Sequence, residues 1–395
     1  MLKPFLLLLV VVPIAWAQSS CSAIVDDLQY RTSSAIDQAP AIQACLNQAK
    51  DYTTLYLPPF HVAIKATLTI YDRTALTLDC QTSSWQGPAY DEPGFYWAGA
   101  DGGTMLDTSG SGQITVKNCN FYSAQMVNPV GANGASSIIL ADTSPPSGPY
   151  VTTTAQTFSN LGVIGMTLNP NFVGFDFSPT GRNNVEHFTV NGKTAILCSQ
   201  GGSPSMAVGI GIRNNLAGSS NAQFHLYMDN QFSNCGSAIM LKGGSASIMF
   251  NEFENNGIVI LVGPGGTGFG VISGNNAEIE SQFVNGGVDN MTIIENRIAA
   301  CAPPSGHGCI DIRGGSREMQ ISGNQFDAGP YISINSTNSG PNLLAFGNQY
   351  SDIPFAGFGY VINEGGLGYL LLPTTCKGWA KGTVWNNAGT LGVCP

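Results

Sequence analysis

The chain has 395 residues, only 10% of them charged, and a formal net charge of −10. So sparse and acidic a composition excludes nucleic acid and anionic lipid as partners, since both call for a basic face. Its 49 glycines suit many tight turns, and its 10 cysteines are an even number.

In chain order, Lys3, the apolar run from Phe5 to Ile14 and the small residues Ala15 and Ala17 read as an export signal over residues 1–17. Cys21 follows Gln18-Ser19-Ser20, which lacks the aliphatic residue of a lipoprotein signal. No later segment is long and apolar enough for a membrane helix, so the mature chain is expected to be secreted or periplasmic, without membrane insertion. Export makes disulfides the expected state of the cysteines, with connectivity left open. Cys301 with Cys309 and Cys376 with Cys394 would each close a short loop, and Cys80 with Cys119 would fasten a longer one.

Residues 18–50 form a cap. Asp37 to Ala49 carries a helix start signal and apolar residues at Ile42, Cys45, Leu46 and Ala49. Leu55-Tyr56-Leu57-Pro58-Pro59 follows, then strands over Ala66–Ile70 and Ala75–Leu78. Between Leu78 and Ile114 lies an aromatic-dense stretch with Trp85, Tyr90, Tyr96 and Trp97, read as a loop whose rings could stack on sugars or pack as extra core.

The second half repeats. Asn230, Asn251, Asn275, Asn296, Asn324 and Asn348 recur at spacings of 21, 24, 21, 28 and 24 residues, mostly as Asn-x-Phe or a similar large apolar residue, each after a short alternating strand. Strands this short cannot bury a face alone, but stacked as coils of a solenoid they can. The recurring Asn would then point inward and bond its neighbour one coil away. An antiparallel sandwich is the alternative, though it has no reason to repeat Asn-x-Phe.

The helix, strand, Pro-Pro turn and strand over about residues 24–80 resemble the N-terminal signature of the pectate-lyase-like superfamily. The resemblance implies an all-β, single-stranded right-handed parallel β-helix with an N-terminal capping helix. The coils are expected over 51–365 and a C-terminal cap with a disulfide loop over 366–395.

Gly306-His307-Gly308 matches a tripeptide of the polygalacturonases, a β-helical family, but their Asn-x-Asp, Asp-Asp and Arg-x-Lys elements are missing around it. Without carboxylate partners, His307 is read as the tip of a turn inserted in the 28-residue coil. His61, His187 and His225 have no metal-ligand spacing.

Registering the coils by their Asn sends the residues one and three later outward. The first column is Gln231, Glu252, Asn276, Arg297, Gln325 and Gln349; the second is Ser233, Glu254, Glu278, Ala299, Asp327 and Ser351. Glu280, two residues after Glu278, is expected on the same face. Carboxylates one or two coils apart would bracket the separations used by retaining and inverting glycosidases. The catalytic candidates are therefore Glu252, Glu254, Glu278, Glu280, Asp327 and Arg297. Trp85, Tyr90, Tyr96, Trp97, Asp311 and Arg313 are the candidates for substrate binding. No cofactor is implied; Glu254 and Glu278 would also suit Ca²⁺. A solvated acidic face is the plain alternative. The expectation is a secreted β-helix that binds and cleaves an extracellular polysaccharide, a hydrolase in preference to a lyase, against a non-catalytic glycan-binding or adhesive β-helix.

Overall fold

The structure, a computed structural model, describes residues 19–82, 90–126, 133–141, 153–177, 185–200, 203–215, 224–242, 245–263, 270–278, 280–287, 290–304, 307–313, 319–327, 332–336, 343–346, 348–350, 361–364, 384–387 and 390–393. The export signal, Trp85, Cys376 and Cys394 lie outside the described residues. Among the described residues no helix is long and apolar enough to cross a membrane.

The chain is a right-handed parallel β-helix. Each coil visits three sheets in turn, here called sheet 1 (12 strands, from Ser19–Ser20 and Thr54–Tyr56 to Leu343–Phe346), sheet 2 (11 strands, His61–Ile64 to Gln349–Tyr350) and sheet 3 (11 strands, Leu68–Thr69 to Val361–Glu364). Every strand in the three sheets pairs in parallel with its equivalent one coil away; Phe232, for example, sits opposite Phe253 and Phe253 opposite Ala277. A final antiparallel pair, Val384–Asn387 with Thr390–Val393, follows the coils.

Helix α1 (Ala39–Gln48) covers the first coil. Asp37 accepts the Ala39 N–H at 3.1 Å, so the predicted start signal is used. Ile42 and Leu46 face the core, and Cys45 is disulfide-bonded to Cys21. The Gln43 amide imitates a missing strand: its Oε1 accepts from the Thr69 N–H at 2.8 Å and its Nε2 donates to the Thr69 carbonyl at 2.9 Å. That satisfies an edge which would otherwise be left open. The predicted strands appear shortened, at Leu68–Thr69 and Thr77–Asp79, and His61–Ile64 is a strand the sequence reading missed.

The Asn column is a continuous internal ladder. Asn230, Asn251, Asn275, Asn296 and Asn324 each donate Nδ2–H to the Oδ1 of the next, at 3.0, 3.0, 2.8, 2.9 and 2.9 Å, ending at Asn348. Each also donates its backbone N–H to that same oxygen, and its second amide hydrogen goes to a backbone carbonyl such as Ile248 for Asn275. In the coils below, the register puts Thr194, Leu161 and Cys119 at this place, so the ladder begins at Asn230.

The residue before each of the first five ladder Asn turns the corner in the left-handed region: Asp229, Phe250, Gly274, Glu295 and Gly323 have φ of 57°, 56°, 65°, 56° and 66°. Gly274 is required there, since a Cβ would meet the Phe250 ring at 2.6 Å. Phe250 itself is strained and 61% exposed. Replacing Phe250 with Asn, which tolerates this conformation, is expected to raise unfolding free energy by about 1 kcal/mol in chemical denaturation. An unchanged or lower midpoint would mean that ring contact with Gly274 outweighs the backbone strain.

Four disulfides join Cys21 to Cys45, Cys80 to Cys119, Cys198 to Cys235 and Cys301 to Cys309. Two of these were expected. Four such bonds fit an oxidising, extracellular or periplasmic compartment.

Candidate functional site

The outer face of sheet 2 changes character along the axis. One outward column reads Ala63, Tyr96, Tyr122, Ile164 and Leu197 in the first coils, then Ser233, Glu254, Glu278 and Ala299. The apolar part is covered. Tyr96 and Tyr122 are fully buried and stack with centroids 4.3 Å apart, and Tyr30 from the cap packs on Tyr96 at 4.4 Å. The acidic part is open, with Glu252 and Glu254 exposed on either side of buried Phe253.

This corrects the aromatic reading. Gly94–Trp97 is a coil strand, not a loop. Phe95 and Trp97 join the core, and Tyr96 lies in a second, outer cluster, so none of these rings is presented to a ligand. Tyr96 donates to the Glu92 carbonyl at 2.6 Å, and Trp97 Nε1 to the Ala100 carbonyl at 3.0 Å. Tyr90 is half-buried beside Tyr96, and its carbonyl accepts from Arg31.

On the open part, Arg297 gathers the acids. Its guanidinium lies 3.3 Å from Glu278 Oε1 and 3.0 Å from Asp327 Oδ2, with Asn276 Oδ1 at 3.5 Å. Glu254 is the register neighbour of Glu278 one coil below, and Glu252 that of Asn276. Thus Glu252, Glu254, Glu278, Arg297 and Asp327 share one face. Arg297 balances the charge of the two acids it touches, while half its own surface stays solvated. Exposed pairs of this kind contribute little to stability.

Glu280 is elsewhere. It is 1% exposed and points into the coil, where Oε2 accepts the Asn256 N–H at 2.7 Å and Oε1 the Asn256 Nδ2–H at 3.3 Å. Asn256 in turn accepts the Cys235 N–H at 3.0 Å, so Glu280 extends a second internal ladder. Burial pushes its pKa up from 4.5 to about 9; the Asn256 donors oppose this and Glu254 adds to it. It holds its proton at neutral pH and cannot meet a ligand on the outer face.

Asp311 is also buried, and its partner is His307: Nδ1 lies 2.9 Å from Oδ2. The isolated histidine of the sequence reading thus has a carboxylate, four residues on. Asp311 cannot line a surface for substrate. Arg313 ends the same strand, opposite Asn335 of the next coil. A second pair on sheet 3 was also missed: Arg213 Nε donates to Asp176 Oδ1 at 3.0 Å, and Nη2 to Oδ2. No repeated residue marks sheet 3, so register there could not be read from sequence. Among the described residues no group of three or more His, Cys, Asp or Glu side chains is arranged to hold a metal ion.

No family model matches the chain, and no curated protein does. Solved structures share its fold. DFA-IIIase from Arthrobacter chlorophenolicus A6 in complex with GF2 aligns with a TM-score of 0.57 at 10% identity, over 88% of this chain and 85% of that one. The same enzyme without its lid, in complex with GF2, gives 0.51 at 11% identity, over 86% and 100%. Geobacillus virus E2 ORF18 gives 0.53 at 11% identity, over 85% of this chain and 62% of the viral chain, so the protein spans less than two thirds of that relative's length. At such identities the likeness is one of backbone course: the protein shares the parallel β-helix of DFA-IIIase and of the viral chain.

Proposed function

We propose that the protein binds an extracellular polysaccharide along the open half of sheet 2 and hydrolyses it there. The observation that carries this reading is the Glu254–Glu278 pair, opposite each other on adjacent coils and flanked by Arg297 and Asp327. Adjacent strands are about 4.8 Å apart, close to the roughly 5–5.5 Å carboxyl separation of retaining glycosidases. Glu278, held by Arg297, takes the place of the nucleophile, and Glu254, one coil away, faces the leaving group. Arg297 and Asp327 hold sugar hydroxyls. The superfamily resemblance and an enzyme of the same fold in complex with GF2 support the reading.

The exposure of Glu252 and Glu254 favours a second reading, in which the strip binds glycan without cleaving it. Reducing-sugar release across neutral and uronate polysaccharides, with absorbance of unsaturated uronates followed in parallel, separates the two. Glu278→Gln is expected to lower turnover at least about 100-fold while leaving binding near wild type. Full turnover in this variant would remove the site. Binding with no product from the wild type would establish the second reading, and loss of activity in EDTA would point to calcium.

A further inference from the structure

We propose that Phe250 is a stacking platform for a neutral pyranose unit, at the edge of the open half of sheet 2, and so helps to decide which glycans the strip accepts. The inference rests on the glycan reading above, but not on cleavage. Phe250 stands at the corner between sheets 1 and 2, in the column Asp229, Phe250, Gly274, Glu295 and Gly323. The other four are charged residues or glycine. Each turns through the left-handed region, which Gly and Asp enter more readily than Phe. Phe250 does so at φ 56° with 61% of its surface exposed. The backbone is strained and the ring is not sheltered, so neither feature serves the fold. Strain kept at an exposed position points to a contact made with something outside the chain. Phe224 is equally exposed and also left-handed, at φ 67°, but it lies at the other end of the sheet 1 strand and His187 stacks on its ring with centroids 5.1 Å apart.

The ring leans along the helix axis toward the next coil. A Cβ on Gly274 would meet its Cδ1 and Cε1, each at 2.6 Å, so one edge lies over that glycine. Phe250 leads into Glu252 and Glu254, and Gly274 into Asn276 and Glu278. The ring thus stands beside the same two coils as the Glu254–Glu278 pair, four residues before it on each. Four residues of strand cover about 13 Å. A glycan crossing sheet 2 along the strands would reach the ring with a unit distant from the pair. The surroundings select its class. Asp229 one coil below, Glu252 two residues on and Glu295 two coils above are exposed carboxylates. They accept hydrogen bonds from hydroxyl groups and repel a uronate or a sulfated sugar. Arg297, two residues beyond Glu295, is taken up by Glu278 and Asp327. A neutral pyranose suits both parts: its C–H face packs on the phenyl ring, and its hydroxyls donate sideways to the acids.

Calorimetric titration of the full chain tests this, with neutral oligosaccharides of the cello, manno and xylo series and with oligogalacturonate. The wild type is expected to bind a neutral series, more tightly as the chain lengthens toward the ring. Phe250→Asn is expected to bind the longer members about tenfold more weakly while melting no lower than wild type. Phe250→Tyr, which keeps the ring, is expected to recover most of the affinity. Phe224→Asn makes the same change at an exposed ring away from sheet 2 and is expected to bind like wild type. Affinity lost without stability lost is a result that a merely structural role for the ring would not produce. Affinity of Phe250→Asn within about twofold of wild type, an equal loss in Phe224→Asn, or a preference for oligogalacturonate overturns the proposal and leaves the carboxylate pair in place. A neutral glycan bound through Phe250 but never cleaved upholds it and sinks hydrolysis. A wild type that binds none of these sugars overturns both.

Discussion

Glu280→Gln will make the folded protein less stable than wild type at pH 4 and more stable at pH 8. The carboxyl is buried against Asn256, and its pKa rises from 4.5 to about 9 on folding. Below pH 4.5 both the folded and unfolded chains carry the proton, and burial costs no ionisation energy. Between pH 4.5 and 9 the unfolded chain has released it and the folded chain has not. Stability therefore falls with rising pH in this window, by about 1.4 kcal/mol per unit for this one group. By pH 7 about 3 kcal/mol is lost. Gln is neutral throughout and removes the slope. It also places an amide nitrogen where an oxygen accepted from Asn256 at 2.7 or 3.3 Å, which costs about 1 kcal/mol. The two stability curves should cross near pH 5, and at pH 8 the variant should lead by about 4 kcal/mol. Urea denaturation at pH 4, 6 and 8 measures this. Parallel curves would mean that the carboxyl ionises in the folded state and is not buried as described.

The misplacement of Glu280 shows where sequence patterning loses its hold. Alternation is valid only within a strand, and the strand ends at Glu278. At the equivalent corners Asn234, Asn255 and Ala300 take φ of 55°, 56° and 52°, and the next residues, Cys235, Asn256 and Cys301, go inside. Asn234 and Asn255 suit that left-handed conformation, but Ala300 does not, and Asn is common elsewhere in the chain, so identity alone does not announce the turn. The Asn ladder was legible for the opposite reason. Only an amide can accept two hydrogens from one side and donate two to the other, so its recurrence is chemical. The exterior of sheet 2 beyond Asn230 followed from that register. Tyr96 and Trp97 did not, because a cluster of aromatic residues looks the same in a loop and in a covered strand; it took Tyr30, 66 residues away from Tyr96 in sequence, to show that the outer face is closed there. His307 and Asp311 lie on either side of a loop-to-strand junction, which periodicity does not cross.

Asn275→Ala will cost about 3–5 kcal/mol, whereas Asn230→Ala will cost about 1–2 kcal/mol, although both remove the same side chain from the same ladder. Asn275 is interior. Its Oδ1 accepts both the backbone N–H of Asn251, at 2.9 Å, and the Asn251 Nδ2–H, at 3.0 Å. Alanine leaves these two buried donors without an acceptor and takes a donor from the Ile248 carbonyl. At Asn230 the balance differs. Among the described residues no donor reaches its Oδ1, and the Asn251 oxygen it serves keeps the Asn230 backbone N–H at 3.1 Å. Only donated bonds disappear, and no buried N–H is orphaned. Asn275→Asp supplies a further contrast: it can still accept from Asn251 but faces the Asn296 oxygen with another oxygen, so it should be at least as damaging as alanine. Denaturant midpoints of the three variants decide the matter. Equal losses at 230 and 275 would show that the Asn column is a set of independent bonds, and its direction, from Asn230 toward Asn348, would carry no energetic meaning.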